Sequence, residues 1–354
     1  MWRVTLARVS GVLLFMSCLA QPAGEWARMK PMVPRGYLCV RAASPVTVDG
    51  RLDDAAWKQA PWTADFVDIE GAVKPVPRYR TRAKMLWDDK YFYIAAELQE
   101  PHVWGTITQR DAVIFQDPDF EVFIDPDGDG HEYYEFEMNA LNTVWDLRLV
   151  KAYKDGGPAL NEWNIAGLRT GVHVDGTLND PKDTDRSWTV EIAMPWAALG
   201  EFSRKPSPPR DGDRWQVNYS RVEWQIETGA GYRKVPNTPE NNWVWSPTGI
   251  VDMHRPEKWG VVEFTTARTA GRAVKPGPVE AARDILQEVY YSERVFQSKA
   301  KRFTADAGEL GLKPVAPGLE IRLTADGWRA SVPVKGGKGG QRATIRQDAL
   351  FRVE

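Results

Sequence analysis

Between residues 38 and about 266 the chain is a succession of short segments in which polar and apolar residues alternate, each closed by Gly, Pro, Asn or Asp. Alternation at every second position puts one face of a strand against a core and the other towards water. Turns this closely spaced leave no room for the helices that join parallel strands, so the pattern excludes a βαβ fold. Residues 81–87 alternate, Asp88-Asp89-Lys90 turns, and residues 91–98 return as a hairpin. A second hairpin joins 120–125 to 133–139 through Pro126-Asp127-Gly128-Asp129-Gly130. Further strands are predicted at 168–174, 188–193, 215–224, 243–246 and 259–264, with short helical pieces only at 53–59 and 196–199. The expected fold is an all-β antiparallel two-sheet β-sandwich, jelly-roll-like, with Trp57, Trp87, Trp188, Trp215 and Trp259 filling its core.

The flanks read differently. Residues 1–20 carry Arg3 and Arg8, an apolar run at 12–16 and Cys18-Leu19-Ala20, the pattern of a secretory signal peptide. Secretion to the periplasm or medium is expected, with acylation of Cys18 as the lipoprotein alternative, and residues 21–37 form a lead-in. Cleavage after Ala20 leaves Cys39 alone, so no disulfide is expected. After a linker at 272–278, Ala282, Ile285, Val289, Phe296, Ala300 and Phe303 recur at helical spacing and predict a helix of about 25 residues from Val279. A hairpin around Asp326-Gly327 and a last strand at 343–353 complete a small α+β appendage, a helix plus three strands over 279–354. No segment is apolar enough for a transmembrane helix. Residues 21–271 carry 29 Lys and Arg against 38 Asp and Glu, a net of −9, which argues against nucleic acid as a partner. Residues 272–354 carry 15 against 10, a net of +5, and this basic end is a candidate surface for a protein partner.

Nine acids and no Lys or Arg lie between Asp117 and Glu137. So dense a run repels itself unless its members are exposed, protonated or bound to a cation. Asp125, Asp127 and Asp129 offer oxygen at every second position with Gly relieving the turn, a pattern that suits calcium. Glu121 and Glu135 on neighbouring strands could serve as acid and base in glycoside hydrolysis, the enzymatic alternative. His102, His131, His173 and His254 are scattered without a zinc spacing, no Gly-x-Ser-x-Gly occurs, and no organic cofactor is expected. Met253 and His254 leave haem ligation as a remote alternative, and a structural or assembly role as another. Trp224, Trp243 and Trp245 stand among Arg221, Gln225 and several acids and amides, and flat indole faces beside planar polar groups suit sugars.

Five stretches, in order, resemble carbohydrate-binding module family 9 and its wider group of exported, DOMON-like proteins. They are Val46-Thr-Val-Asp49-Gly50-Arg-Leu-Asp53-Asp-Ala-Ala-Trp57, Leu86-Trp87-Asp88-Asp89-Lys-Tyr91-Phe-Tyr93, Phe120-Glu121-Val-Phe-Ile-Asp125, Trp188-Thr-Val-Glu191-Ile-Ala-Met-Pro195-Trp196 and Arg255-Pro256-Glu-Lys258-Trp259-Gly260. The resemblance covers residues 38 to about 266, within a 38–271 module. It implies a two-sheet sandwich, calcium in some members, and non-catalytic binding of poly- or oligosaccharide in support of carbohydrate catabolism. It also implies that Phe115 and Met253 stand where sugar-binding members place two clamping tryptophans. Glu121 and Asn139 match polar positions of that site, and Glu137 stands where an arginine would bind the sugar.

Overall fold

The computed structural model describes residues 22–268 and 272–354, so the signal-peptide reading of residues 1–20 and Cys18 lies outside the described residues. The body is dominated by one 13-stranded sheet. Its long strands are β1 (Gly36–Arg41), β2 (Thr81–Trp87), β3 (Tyr91–Gln99), β4 (Asp119–Asp125), β5 (His131–Asn139), β6 (Val144–Lys151), β7 (Arg169–Asp175), β8 (Ser187–Pro195), β9 (Arg214–Glu223), β10 (Asn241–Val244) and β11 (Gly260–Thr265). Hydrogen bonding runs in the order β6, β5, β4, β9, β11, β1, β2, β3, β8, β7, and β10 pairs with β9 beside β11.

Both expected hairpins form. β2 returns as β3 and β4 as β5, the latter through a turn in which Gly128 and Gly130 take positive φ. All-β architecture is therefore observed, but the expectation of two purely antiparallel sheets needs correction. β1 pairs in parallel with β11 along residues 36–40 and in parallel with β2 at residues 40–41. One short strand thus hands the sheet from one half to the other, as corner strands do where a sheet turns over on itself. Inward residues of both halves, among them Met85, Ile94, Val122, Phe136, Trp188, Trp215, Tyr219 and Phe264, share a single core. Trp196, Trp215 and Phe264 meet edge to face at 5.3–5.8 Å between centroids. Trp87, Trp188 and Trp215 lie in this core, whereas Trp57 and Trp259 fill two smaller clusters on the outer faces.

The C-terminal unit consists of α2 (Pro278–Ala300) and the four-stranded sheet β12 (Glu320–Thr324), β13 (Gly327–Pro333), β14 (Arg342–Arg346) and β15 (Phe351–Val353). The predicted third strand at 343–353 is broken in two, because the chain turns at residues 347–350 with Ala349 at φ 61. The lead-in contributes α1 (Pro22–Met29), whose Trp26 and Met29 join the core of this unit. No helix among the described residues is long and apolar enough to cross a membrane.

Candidate functional site

β9 ends in Glu223, and the chain continues through Trp224 and Gln225 along the rim of an open cleft of about 470 Å³. Trp224 is anchored by its indole N–H, which donates to the Phe115 carbonyl at 3.1 Å, and by contact with Trp104, Val222, Phe115 and Tyr232. The Lys234 ammonium sits 3.4 Å from its ring centroid, a cation–π contact on one face. Tyr79, Arg78, His102 and Gln225 complete the wall.

Beneath the cleft is a rigid charged floor. Arg221, on β9 and fully buried, donates to Glu100 at 2.6 Å, Glu223 at 2.8 Å, Thr81 Oγ1 at 3.1 Å and the Gln99 carbonyl at 2.8 Å. Arg78 donates to Glu223 and to the Trp224 carbonyl, both at 3.0 Å. Both guanidinium groups lie 5.3 Å from the Trp243 centroid, so the indole supports them from the core side. Burial, and then the Glu223 carboxylate beside it, push the Glu100 carboxyl up to about 9 although Arg221 pulls the other way. The result is a set of fixed planar donors and acceptors next to aromatic rings, able to order a polar, flat ligand.

A second cluster occupies the outer face of the β4–β5 pair. Glu121 faces Glu137 directly across the ladder, and Asp119 faces Asn139. Asp119, Glu121, Glu135 and Glu137 are all buried, and no Lys or Arg among the described residues forms an ion pair with any of them. Burial pushes all four carboxyls up, Glu121 to about 7, and the Glu121 charge raises Asp119, Glu135 and Glu137 further. Glu137 accepts the Phe115 N–H at 3.0 Å, so the turn that carries Phe115 lies against this cluster as well as against the cleft.

The residues expected to bind sugar therefore divide. Trp224 and Gln225 line the cleft, Arg221 lies directly under it, and half-buried Phe115 packs on Trp224. Trp243 and Trp245 do not form a platform: they are 3% and 1% exposed and belong to the main core. Strand alternation is the reason, since the register of β10 with β9 turns residues 243 and 245 inward and Asn242 and Val244 outward. Asn139 is a scaffold residue, its amide donating to the Ile107 carbonyl and Asp117 while its oxygen accepts from the Leu141 and Thr143 N–H groups. Met253 is buried against Trp259, Phe123 and Tyr133, and cannot face Phe115 as half of an exposed clamp. Beside it His254 is engaged by the Tyr133 hydroxyl at 2.9 Å and by the Tyr153 ring, so neither residue points to an open haem pocket. The proposed acid and base, Glu121 and Glu135, lie in the buried cluster and not on the cleft.

The Asp125, Asp127 and Asp129 oxygens do come together, one from each within 4.8 Å of the others. They already have partners. Asp125 accepts the Gly128 and Gly130 N–H groups, Asp127 accepts the Arg204 N–H, Asp129 accepts the His131 N–H, and the Arg204 guanidinium lies 3.5 and 3.7 Å from Asp127 and Asp129. Sequence reasoning missed Tyr79, Arg78, Glu100 and His102. They come from the loops just before β2 and just after β3, and only the folded sheet brings these segments against the end of β9.

A protein family described as "Carbohydrate family 9 binding domain-like" matches residues 48–230. Among curated proteins the chain is similar to the exoglucanase XynX of Acetivibrio thermocellus, with 24% identity over 70% of this chain and 23% of that protein. It is also similar to endo-1,4-beta-xylanase C of Paenibacillus barcinonensis, with 32% identity over 25% of this chain and 7% of that one. The chain thus spans less than a quarter of the length of these relatives. Among solved structures, a putative carbohydrate-binding protein from Bacteroides uniformis shares the fold at 15% identity, with a TM-score of 0.50 over 65% of this chain and 99% of that one.

Proposed function

The chain belongs to the carbohydrate family 9 binding domain-like family, and from that premise we propose that it binds poly- or oligosaccharide without cutting it, in the cleft at the end of β9. The observation that carries this placement is the conjunction of Trp224, Tyr79 and Gln225 with the buried Arg221–Glu100–Glu223 network in one cavity of about 470 Å³. A pyranose presents an apolar C–H face to an aromatic ring and equatorial hydroxyls to planar amides and guanidinium groups, and this lining offers both. Phe115 contributes by holding Trp224 in place, and Arg221 by fixing the acceptors beside it.

Sugar hydroxyls exchange hydrogen bonds with water for hydrogen bonds with protein, so affinity is expected in the micromolar to millimolar range, about −4 to −8 kcal/mol. Export, guided by residues 1–20, and service in carbohydrate catabolism belong to the same proposal. Isothermal titration against plant, algal and bacterial glycans tests it. Saturable binding to at least one glycan is the expected result, and silence across the panel would refute it.

A further inference from the structure

The C-terminal sheet buries one face and turns the other to solvent. α2 packs on β13 and β14, and Ala330, Val332, Ala343 and Ile345 are buried beneath it, so the alternate residues of these strands point outward. The outward positions of the four strands hold Arg322, Arg329, Arg342, Arg346 and Arg352, five arginines and no lysine. Arg322, Arg329 and Arg346 stand directly abreast on three neighbouring strands. Like charges directly opposite destabilise a sheet, and strands about 4.8 Å apart give them little room to separate. Nearby acids do not balance the set: Glu320 pairs with Arg322 and Arg342, Asp348 with Arg346 and Glu354 with Arg329, three carboxylates for five guanidinium groups. Arg352 has no ion pair among the described residues, and its buried Nε has no hydrogen-bond partner. Side-chain exposures of 33–78% leave the four paired arginines open to a ligand, and exposed pairs of this kind hold them only weakly.

We propose that this face binds an anionic polysaccharide, a chain of sugars bearing carboxylates, laid across the strands along the row Arg322, Arg329 and Arg346. Guanidinium groups in place of ammonium groups select planar oxyanions that accept two parallel hydrogen bonds, as carboxylates do. One arginine per strand meets a chain whose charge is repeated along its length. Between the arginines lie Ser331, Pro333 and Thr344, and no aromatic ring. Such a face gives nucleobases nothing to stack on, and without an apolar centre it suits neither a stable protein interface nor an inserting membrane anchor. None of the five arginines lines the cleft, so binding here and binding there are separable.

Calorimetric titration of the full-length protein with sodium polygalacturonate and sodium alginate, free of divalent cations, is expected to show saturable binding to at least one of them. That binding should weaken about fivefold or more between about 50 and 200 mM salt. Arg322→Gln combined with Arg329→Gln and Arg346→Gln is expected to cut the affinity at least about tenfold at an unchanged melting temperature. Arg329→Lys, which keeps the charge and loses the paired hydrogen bonds, is expected to cost about threefold. Tyr79→Ala, in the cleft, is expected to bind the polymer as the wild type does. No binding to either polymer, affinity unchanged in the triple variant and in Arg329→Lys, or affinity lost in Tyr79→Ala would each overturn the proposal. Tighter binding to poly-glutamate, to duplex DNA or to phosphatidylserine vesicles than to either polymer would overturn it as well.

Discussion

His254 makes the molecule sensitive to acid. Its ring lies between Phe123, Tyr133 and Tyr153, and burial lowers its pKa to about 4, while Asp252 pulls it up and Arg255 down. A histidine depressed in this way contributes stability that is complete above about 6.5, its ordinary value, and is lost as pH falls through about 4. Its side chain retains 16% exposure, so the contribution is about 2 kcal/mol out of the 3 that full burial would give. Denaturant unfolding at pH 7 and pH 4 should show His254→Gln losing about 2 kcal/mol less than the wild type over that interval. Asn139→Ala should cost about 3 kcal/mol at neutral pH by chemical denaturation, because it strands four hydrogen-bond partners at once. Residue type alone revealed little of this. Trp224 and Trp243 read alike in sequence, yet Trp243 on β10 points into the main core while Trp224, just past the end of β9, sits at the cleft with 9% of its surface exposed.

At the scale of elements, β11 illustrates how packing fixes the sheet. A Cβ on Gly260 would lie 2.3 Å from the Trp245 ring, and β11 cannot retreat because β1 and β9 hold it on both sides. Gly260→Ala is therefore expected to destabilise the protein by about 3 kcal/mol in a urea titration, with Trp245 fluorescence reporting the disturbance. Both hairpins were legible in sequence, since their strands alternate and their turns carry Asp or Gly at the required places. The helix predicted from Val279 is observed as Pro278–Ala300 for the same local reason. β1 was legible as a strand but not as a parallel one, because its partners lie about 46 and 225 residues further along the chain and nothing local distinguishes the two pairings. The break between β14 and β15 went unseen because Ala349, and not glycine, takes the left-handed conformation there.

Across the whole molecule, the two ends of the chain share a core that the order of segments conceals. The Trp26 ring stacks on Tyr291 at 5.3 Å between centroids, and Lys258 from the body lies 4.7 Å from the same indole. Lys258 also pairs with Asp284 at 3.0 Å, which ties the sandwich to α2. Trp26→Ala is expected to cost about 3 kcal/mol and to lower the melting temperature of the C-terminal unit more than that of the sandwich, as followed by calorimetry. The change of periodicity after residues 272–278 was legible in sequence, but the candidate cleft was not. Its walls come from segments that meet only after the sheet has curled. That origin gives the central claim a direct test, which is to titrate an active oligosaccharide into the wild type, Tyr79→Ala, Gln225→Ala and Glu121→Gln by calorimetry. Binding in the cleft predicts at least a tenfold loss of affinity in Tyr79→Ala, a smaller loss in Gln225→Ala and wild-type affinity in Glu121→Gln. Unchanged affinity in both cleft variants, with loss in Glu121→Gln, would place the sugar on the acidic face and contradict the account.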